Sequence, residues 1–145
     1  MADPQVRLQQ MIAKLKAHDF RITPQRLAVL KILVASQDHP SVERTYEQVK
    51  QTFPTTSLAT IYKTIALLKE VHEVLEIRFS ESSRFDGNKP YPHPHVICLK
   101  CKKILDPDLM GLGKLTEEAA QRTGFRITDH RLDFFGICPD CQPKE

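Results

Sequence analysis

No stretch of the 145-residue chain approaches the roughly 18 consecutive apolar residues that a membrane span needs. No apolar run follows a basic start near the N-terminus, as an export signal would require. Internal repeats and low-complexity segments are also missing. Charge of one sign is in short supply: 21 Lys and Arg against 18 Asp and Glu give a net charge of +3. The excess lies in residues 1–90, with 13 basic against 10 acidic side chains, whereas residues 91–145 carry eight of each. A polyanionic partner is therefore permitted rather than demanded, and it would belong to the first part. Cysteine is limited to four residues in two pairs, Cys98/Cys101 and Cys138/Cys141. Without an export signal, such pairs point to metal ligation or redox chemistry before disulfides, and the expected location is cytoplasmic.

With 41% hydrophobic residues, the chain can bury one ordinary core or two small ones, and two small lobes would call for a staple. Leu8, Met11, Ile12 and Leu15 follow the stripe of an amphipathic helix. Thr23-Pro24 is a helix start, a hydroxyl cap followed by proline where its missing N–H costs nothing, and the run Leu27–Val34 is a second, buried helix. Ser41 can cap a third, with Tyr46, Val49 and Phe53 inward and Pro54 ending it. Ser57 can cap a fourth, with Leu58, Ile61, Ile65 and Leu68 inward.

The opposite face of that fourth helix is Ala59, Tyr62, Lys63 and Ala66, small residues with one tyrosine and one lysine. Such a face can approach the DNA major groove closely, or it is an ordinary bland helix surface. Leu75, Ile77 and Phe79 then alternate with Glu76 and Arg78 as in a half-buried strand. Helices followed by a strand ribbon spell a winged helix-turn-helix. Residues 80–92 hold one Gly and two Pro among polar residues and read as a hinge. Beyond it, 96–105 reads as a strand, Leu112, Leu115 and Ala119 mark a helix, and 125–137 is another strand region. The expected fold class is α+β, a winged helix-turn-helix followed by a small α+β domain.

Two C-x-x-C turns can close a four-thiolate zinc site, and 36 intervening residues mean that the ion would tie together segments distant in sequence. Free buried thiols or a redox dithiol are the other readings, although no βαβ pattern surrounds Cys138-Pro139-Asp140-Cys141. His93 and His95, two apart on an expected strand, would face the same side. With Asp86 upstream and Asp106 downstream they form a nitrogen and oxygen donor set suited to Fe(II), Mn(II) or Zn(II). A zinc deaminase does not fit: His93-Pro94-His95 lacks the general-base glutamate, and Ile137 rather than proline precedes Cys138.

Arg21-Ile22-Thr23-Pro24-Gln25-Arg26, His39-Pro40, Thr60-Ile61-Tyr62-Lys63-Thr64, the block from His93 to Cys101, His130-Arg131 and the second cysteine pair follow one another in this order. With these residues the chain resembles, along nearly its whole length, the ferric uptake regulator family. The resemblance implies a homodimeric, metal-dependent repressor that binds a double-stranded, palindromic DNA operator and is not an enzyme. Each chain would have a winged-helix domain over residues 1–84, a hinge over 85–92 and a dimerisation domain over 93–145, with structural zinc on Cys98, Cys101, Cys138 and Cys141.

Within the family the chain is similar to the peroxide-regulator branch, which implies a regulatory Fe(II) or Mn(II) held by His39, Asp86, His93, His95 and Asp106. Peroxide sensing would proceed by oxidation of His39 or His93. An iron- or manganese-responsive repressor without peroxide sensing stays open. Pro92, Pro94 and Gly113 occupy three positions of the family's auxiliary metal site, leaving His130, expected as a structural strand histidine near the dimer interface. DNA contacts are expected from Tyr62 and Lys63 in the groove and from Arg21, Gln25, Arg26, Thr55, Thr56, Ser57 and Thr60 on the backbone. The chain departs from the family in a loop one residue longer between Asp86 and His93, and in His72 and Lys102 where many relatives have glycine.

Overall fold

The computed structural model describes residues 2–79 and 82–143. It divides into two compact units, Met1–Tyr91 and Pro92–Glu145. Ser80 and Glu81, in the stretch read as a hinge, lie outside the described residues.

Four helices and a hairpin make up the first unit, and each helix starts where a side-chain oxygen can take a free backbone N–H. Asp3 accepts from the Gln5 N–H at the start of α1 (Pro4–Ala17). Thr23 accepts from the Arg26 N–H at α2 (Pro24–Ala35), Ser41 from the Arg44 N–H at α3 (Val42–Thr52) and Ser57 from the Thr60 N–H at α4 (Leu58–Glu70). Their inward faces, including Met11, Leu15, Leu30, Leu33, Val49, Ile61 and Leu68, form one core.

Two details differ from the helical stripes expected. Leu58 is 37% exposed, because as the first residue of α4 it lies ahead of the turn that faces the core. In α3 the buried residues are Val42, Thr45 and Val49, while Tyr46 and Phe53 are half-buried. Thr45 tolerates burial because its hydroxyl donates to the Ser41 carbonyl at 2.8 Å.

β1 (Leu75–Phe79) and β2 (Ser82–Asp86) pair antiparallel from Leu75↔Asp86 to Phe79↔Ser82. Residues 82–86 thus belong to a strand, not to the connection that their polar composition suggested. Phe85 is buried in the core, and its N–H donates to the Pro40 carbonyl at 3.0 Å.

The second unit is a three-stranded sheet, ordered β4-β3-β5, with one helix. β3 (His95–Cys98) pairs antiparallel with β4 (Ile104–Leu105) and parallel with β5 (Asp133–Gly136). The single strand expected over 96–105 is therefore a hairpin, turned at Leu99–Lys103 with Lys102 at φ 65°. Of the strand region expected over 125–137, only the last part pairs, and His130 lies before it, outside any strand. α5 (Leu112–Thr123) runs between left-handed glycines, Gly111 and Gly124. Among the described residues, none of α5 is buried, and Leu105, Met110, Leu115, Phe125, Phe134 and Phe135 are exposed. No helix of the described residues is long and apolar enough to cross a membrane.

Candidate metal centres

The four cysteines are free thiols gathered in the second unit. β3 ends at Cys98, the β3–β4 turn carries Cys101, and a single 3-10 turn (Pro139–Cys141) follows Cys138. One sulfur from each lies within 4.8 Å of all the others. Cys101 Sγ and Cys138 Sγ are 3.7 Å apart, close to the ~3.8 Å that separates two sulfurs each about 2.3 Å from a tetrahedral zinc.

Their acidities have been driven apart. Backbone N–H groups of Cys101 and then Cys138 stabilise the Cys98 thiolate and bring its pKa down to about 6. Hydrogen bonding to Cys138, with burial and the other two sulfurs behind it, pushes the Cys141 thiol up to about 12. Four crowded thiols cannot all ionise unless a cation joins them, and a divalent ion with an affinity for sulfur removes that conflict. This is a zinc-type site.

The other predicted ligands divide between the units. In the first, His39 Nε2 and Asp86 Oδ2 are 3.1 Å apart and both residues are buried. The second Asp86 oxygen accepts the backbone N–H groups of Asn88 and Lys89, each at 2.9 Å. That turn holds the carboxylate with Oδ2 on His39. The Asn88 amide ties the turn to both the N–H and the carbonyl of Ala2 and to the Val34 carbonyl. Arg7 Nε donates to the Gly87 carbonyl at 3.1 Å. His39 itself has φ 52°, and Arg84 in β2 donates to its carbonyl and to that of Asp38.

In the second unit His93 Nε2 and His95 Nε2 lie 3.0 Å apart. Asp106 Oδ1 is 3.4 Å from the first and 3.6 Å from the second. Three donor atoms thus converge, and two nitrogens about 3 Å apart match adjacent ligands each ~2.1 Å from one ion. Behind His95, Asp133 Oδ1 lies 3.3 Å from Nδ1, and Arg131 Nε donates to Asp133 Oδ2 at 2.7 Å. Sequence reasoning did not find Asp133, Arg84 or Asn88 as supports, because only strand register and loop packing bring them to the ligands. Pro92, Pro94 and Gly113 offer no ligand atom on their side chains. His130 is half-buried, and its Nε2 has no hydrogen-bond partner among the described residues.

On α4, Tyr62 is 49% exposed and Lys63, Ala59 and Ala66 are exposed beside it. The Tyr62 hydroxyl donates to Glu43 Oε1 at 3.2 Å, which pushes its pKa up. Arg21 and Thr55 are exposed, while Gln25, Arg26 and Thr60 are half-buried. Arg26 donates to the Arg21 carbonyl. The Ser57 hydroxyl is engaged by Thr60 as the helix cap. Thr56, expected as a hydroxyl contact to phosphate, is buried where the chain turns between α3 and α4.

A sequence model of the Ferric uptake regulator family matches residues 17–135. The chain is 40% identical over 138 residues to the peroxide-responsive repressor PerR of Staphylococcus saprophyticus, covering 94% of this chain and 93% of that protein. It is 32% identical to the Campylobacter jejuni peroxide stress regulator, whose solved structure matches with a TM-score of 0.72 over 90% of this chain and 98% of that one. The Helicobacter pylori ferric uptake regulator, described with three functional metal binding sites, matches with a TM-score of 0.83 at 23% identity. It covers 99% of this chain and 97% of that one, and it speaks to the fold alone.

Proposed function

This chain belongs to the ferric uptake regulator family, and on that premise we propose that it is a metal-dependent, DNA-binding transcriptional repressor that senses hydrogen peroxide. The observation that carries the reading is the convergence of His93 Nε2, His95 Nε2 and Asp106 Oδ1. This nitrogen and oxygen set suits Fe(II) or Mn(II) and lies apart from the thiols in chemistry. Relatives at 38–40% identity are named peroxide-responsive repressors.

Residues 1–84 would read DNA, with Tyr62 and Lys63 in the groove and Arg21, Gln25, Arg26, Thr55, Ser57 and Thr60 along the phosphates. Residues 85–92 would act as the hinge and 93–145 as the dimerisation domain, stapled by zinc on Cys98, Cys101, Cys138 and Cys141. The exposed apolar residues of that domain supply the surface for a second copy, and a two-fold dimer fits a palindromic operator. The cytoplasm is the compartment in which its operator and reduced thiols would both be found.

His39 and Asp86 from the first unit, with His93, His95 and Asp106 from the second, would be ligands of one exchangeable cation. Neither group alone offers more than three side chains, so a cation held by all five binds the DNA-competent arrangement best. Several kcal/mol of such differential binding moves a mostly open population to a mostly closed one. Iron in this site supplies reactivity toward peroxide, whereas manganese supplies charge without it. His39 or His93 would take up one oxygen atom, the other leaving as water, and an oxidised imidazole ligates poorly, so repression ends.

The test is operator binding under anaerobic conditions with Fe(II) or Mn(II), before and after dilute peroxide, with mass spectrometry of the protein. The expected result is release from DNA of the iron form alone, with 16 Da added at His39 or His93, the ~16 Da mass of one bound oxygen on a ligand imidazole. Equal responses of the two forms would instead make the protein a repressor responsive to iron or manganese without peroxide sensing.

A further inference from the structure

We propose that Asp133 is a positioning residue for the regulatory metal site: it takes the Nδ1 hydrogen of His95 and thereby presents the Nε2 lone pair to the cation. The inference rests on the reading of His93, His95 and Asp106 as ligands. A neutral imidazole carries one hydrogen, and whichever ring nitrogen bears it cannot ligate. With no acceptor at Nδ1, the hydrogen is free to occupy Nε2, the atom that faces His93 and Asp106.

Three features make Asp133 that acceptor. The parallel register of β3 and β5 sets His95 directly against Asp133, locked by the His95 N–H donating to the Leu132 carbonyl at 3.1 Å. The Asp133 side chain is 8% exposed, so the hydrogen bond is shielded from competing water. Arg131, two residues earlier, donates to the other carboxylate oxygen at 2.7 Å and fixes the orientation of the group.

Asp133 is not itself a further ligand. Its Oδ1 lies against Nδ1, and the two ring nitrogens project their lone pairs in divergent directions. A carboxylate behind a ligating histidine fixes the ring and raises the basicity of the donor nitrogen.

The experiment uses the full-length, zinc-loaded protein without a second metal. Long-range proton–nitrogen correlation of the imidazoles should report His95 with its hydrogen on Nδ1, and this signature should be lost in Asp133→Ala. Mn(II) affinity, measured by competition with a chelating dye, should fall 10- to 100-fold in Asp133→Ala. In Asp133→Asn, whose amide oxygen can still accept but brings no charge, the fall should be smaller. The near-isosteric asparagine keeps the test valid should alanine disturb β5, and zinc content checks the fold of both. His95 carrying its hydrogen on Nε2 in the unaltered protein, or Mn(II) affinities within twofold in both variants, would overturn the positioning role and leave the ligand reading standing. An unaltered protein that binds no Mn(II) would instead overturn the ligand reading, and the role with it, whatever tautomer is seen.

Discussion

Gly87 has no side chain because the core leaves no room for one. A Cβ there would stand 2.8 Å from Leu33 Cβ, 2.9 Å from Met11 Cε and 3.0 Å from the Leu33 backbone carbon. Its carbonyl receives Arg7, and its neighbours are the proposed ligand Asp86 and the loop anchor Asn88. Gly87→Ala is expected to destabilise the first unit by about 1–3 kcal/mol, as overpacking does. It should also weaken Mn(II) binding, because the turn that aims Asp86 must shift. Urea unfolding and metal titration of the purified variant check both, and an unchanged protein would mean that the turn is not packed against α1 and α2. At this scale much was legible. Thr23, Ser41 and Ser57 could be read as caps because a cap bonds only to residues two or three positions on. The cysteines were legible because a C-x-x-C turn is a local chelate. Asp133 and Asn88 were not, since each acts on a partner dozens of positions away.

Between elements, the link with the clearest electrostatic signature joins the end of α4 to the β1–β2 hairpin. Glu76 on β1 receives Lys69 at 2.5 Å, Ser83 at 2.6 Å and Arg78 at 3.1 Å. Partial burial pushes the Glu76 carboxyl up, but hydrogen bonds from Lys69, Ser83 and Arg78 outweigh it and hold the pKa at about 2 against an ordinary 4.5. Folding depresses this pKa, so the stabilisation is complete above about pH 4.5 and is lost as the pH falls through about 2. Glu76→Gln should therefore cost about 1 kcal/mol at neutral pH. Its deficit should narrow as acid protonates the glutamate of the unaltered protein. Paired urea unfolding curves at neutral and acid pH measure that difference, in which the acid sensitivity of the zinc site cancels. A deficit that does not narrow with acid would assign the link to packing instead of charge.

The same scale shows where hydrophobic pattern fails. The β3–β4 turn is apolar on both sides of the cysteine knuckle, so periodicity cannot separate a bent hairpin from one long strand. β2 presents a single buried aromatic, Phe85, among polar residues, too little to mark a strand. His72 and Lys102 adopt left-handed backbone, at φ 60° and 65°, a conformation that glycine enters at least cost.

For the whole molecule, the fold was legible in outline because local signals of different period follow one another along the chain: four helical stripes before residue 72, then alternating segments with one further helix, α5, among them. The division into units was less so, since the boundary at Tyr91 and Pro92 is fixed by which segments pack and not by composition alone. The chemistry of the two donor sets predicts that two metals fail in different ways. The second unit joins Cys98 and Cys101 to Cys138 and Cys141 across its sheet and leaves its largest apolar side chains exposed. Removing zinc should therefore unravel that unit and with it the dimer, while the helices of the first unit, which has its own core, persist. Withdrawing the exchangeable cation with a mild chelator should leave the dimer intact and abolish only operator binding. Sedimentation and helix circular dichroism, run on both metal-stripped forms, separate the cases. A dimer that survives zinc loss would mean that apolar burial alone holds the second unit. A dimer that dissociates when only the mild chelator is applied would mean that the exchangeable cation supports assembly as well as DNA reading. Because four thiolates grip zinc far more tightly than imidazoles and carboxylates grip iron or manganese, one concentration range of chelator should remove the second ion and spare the first.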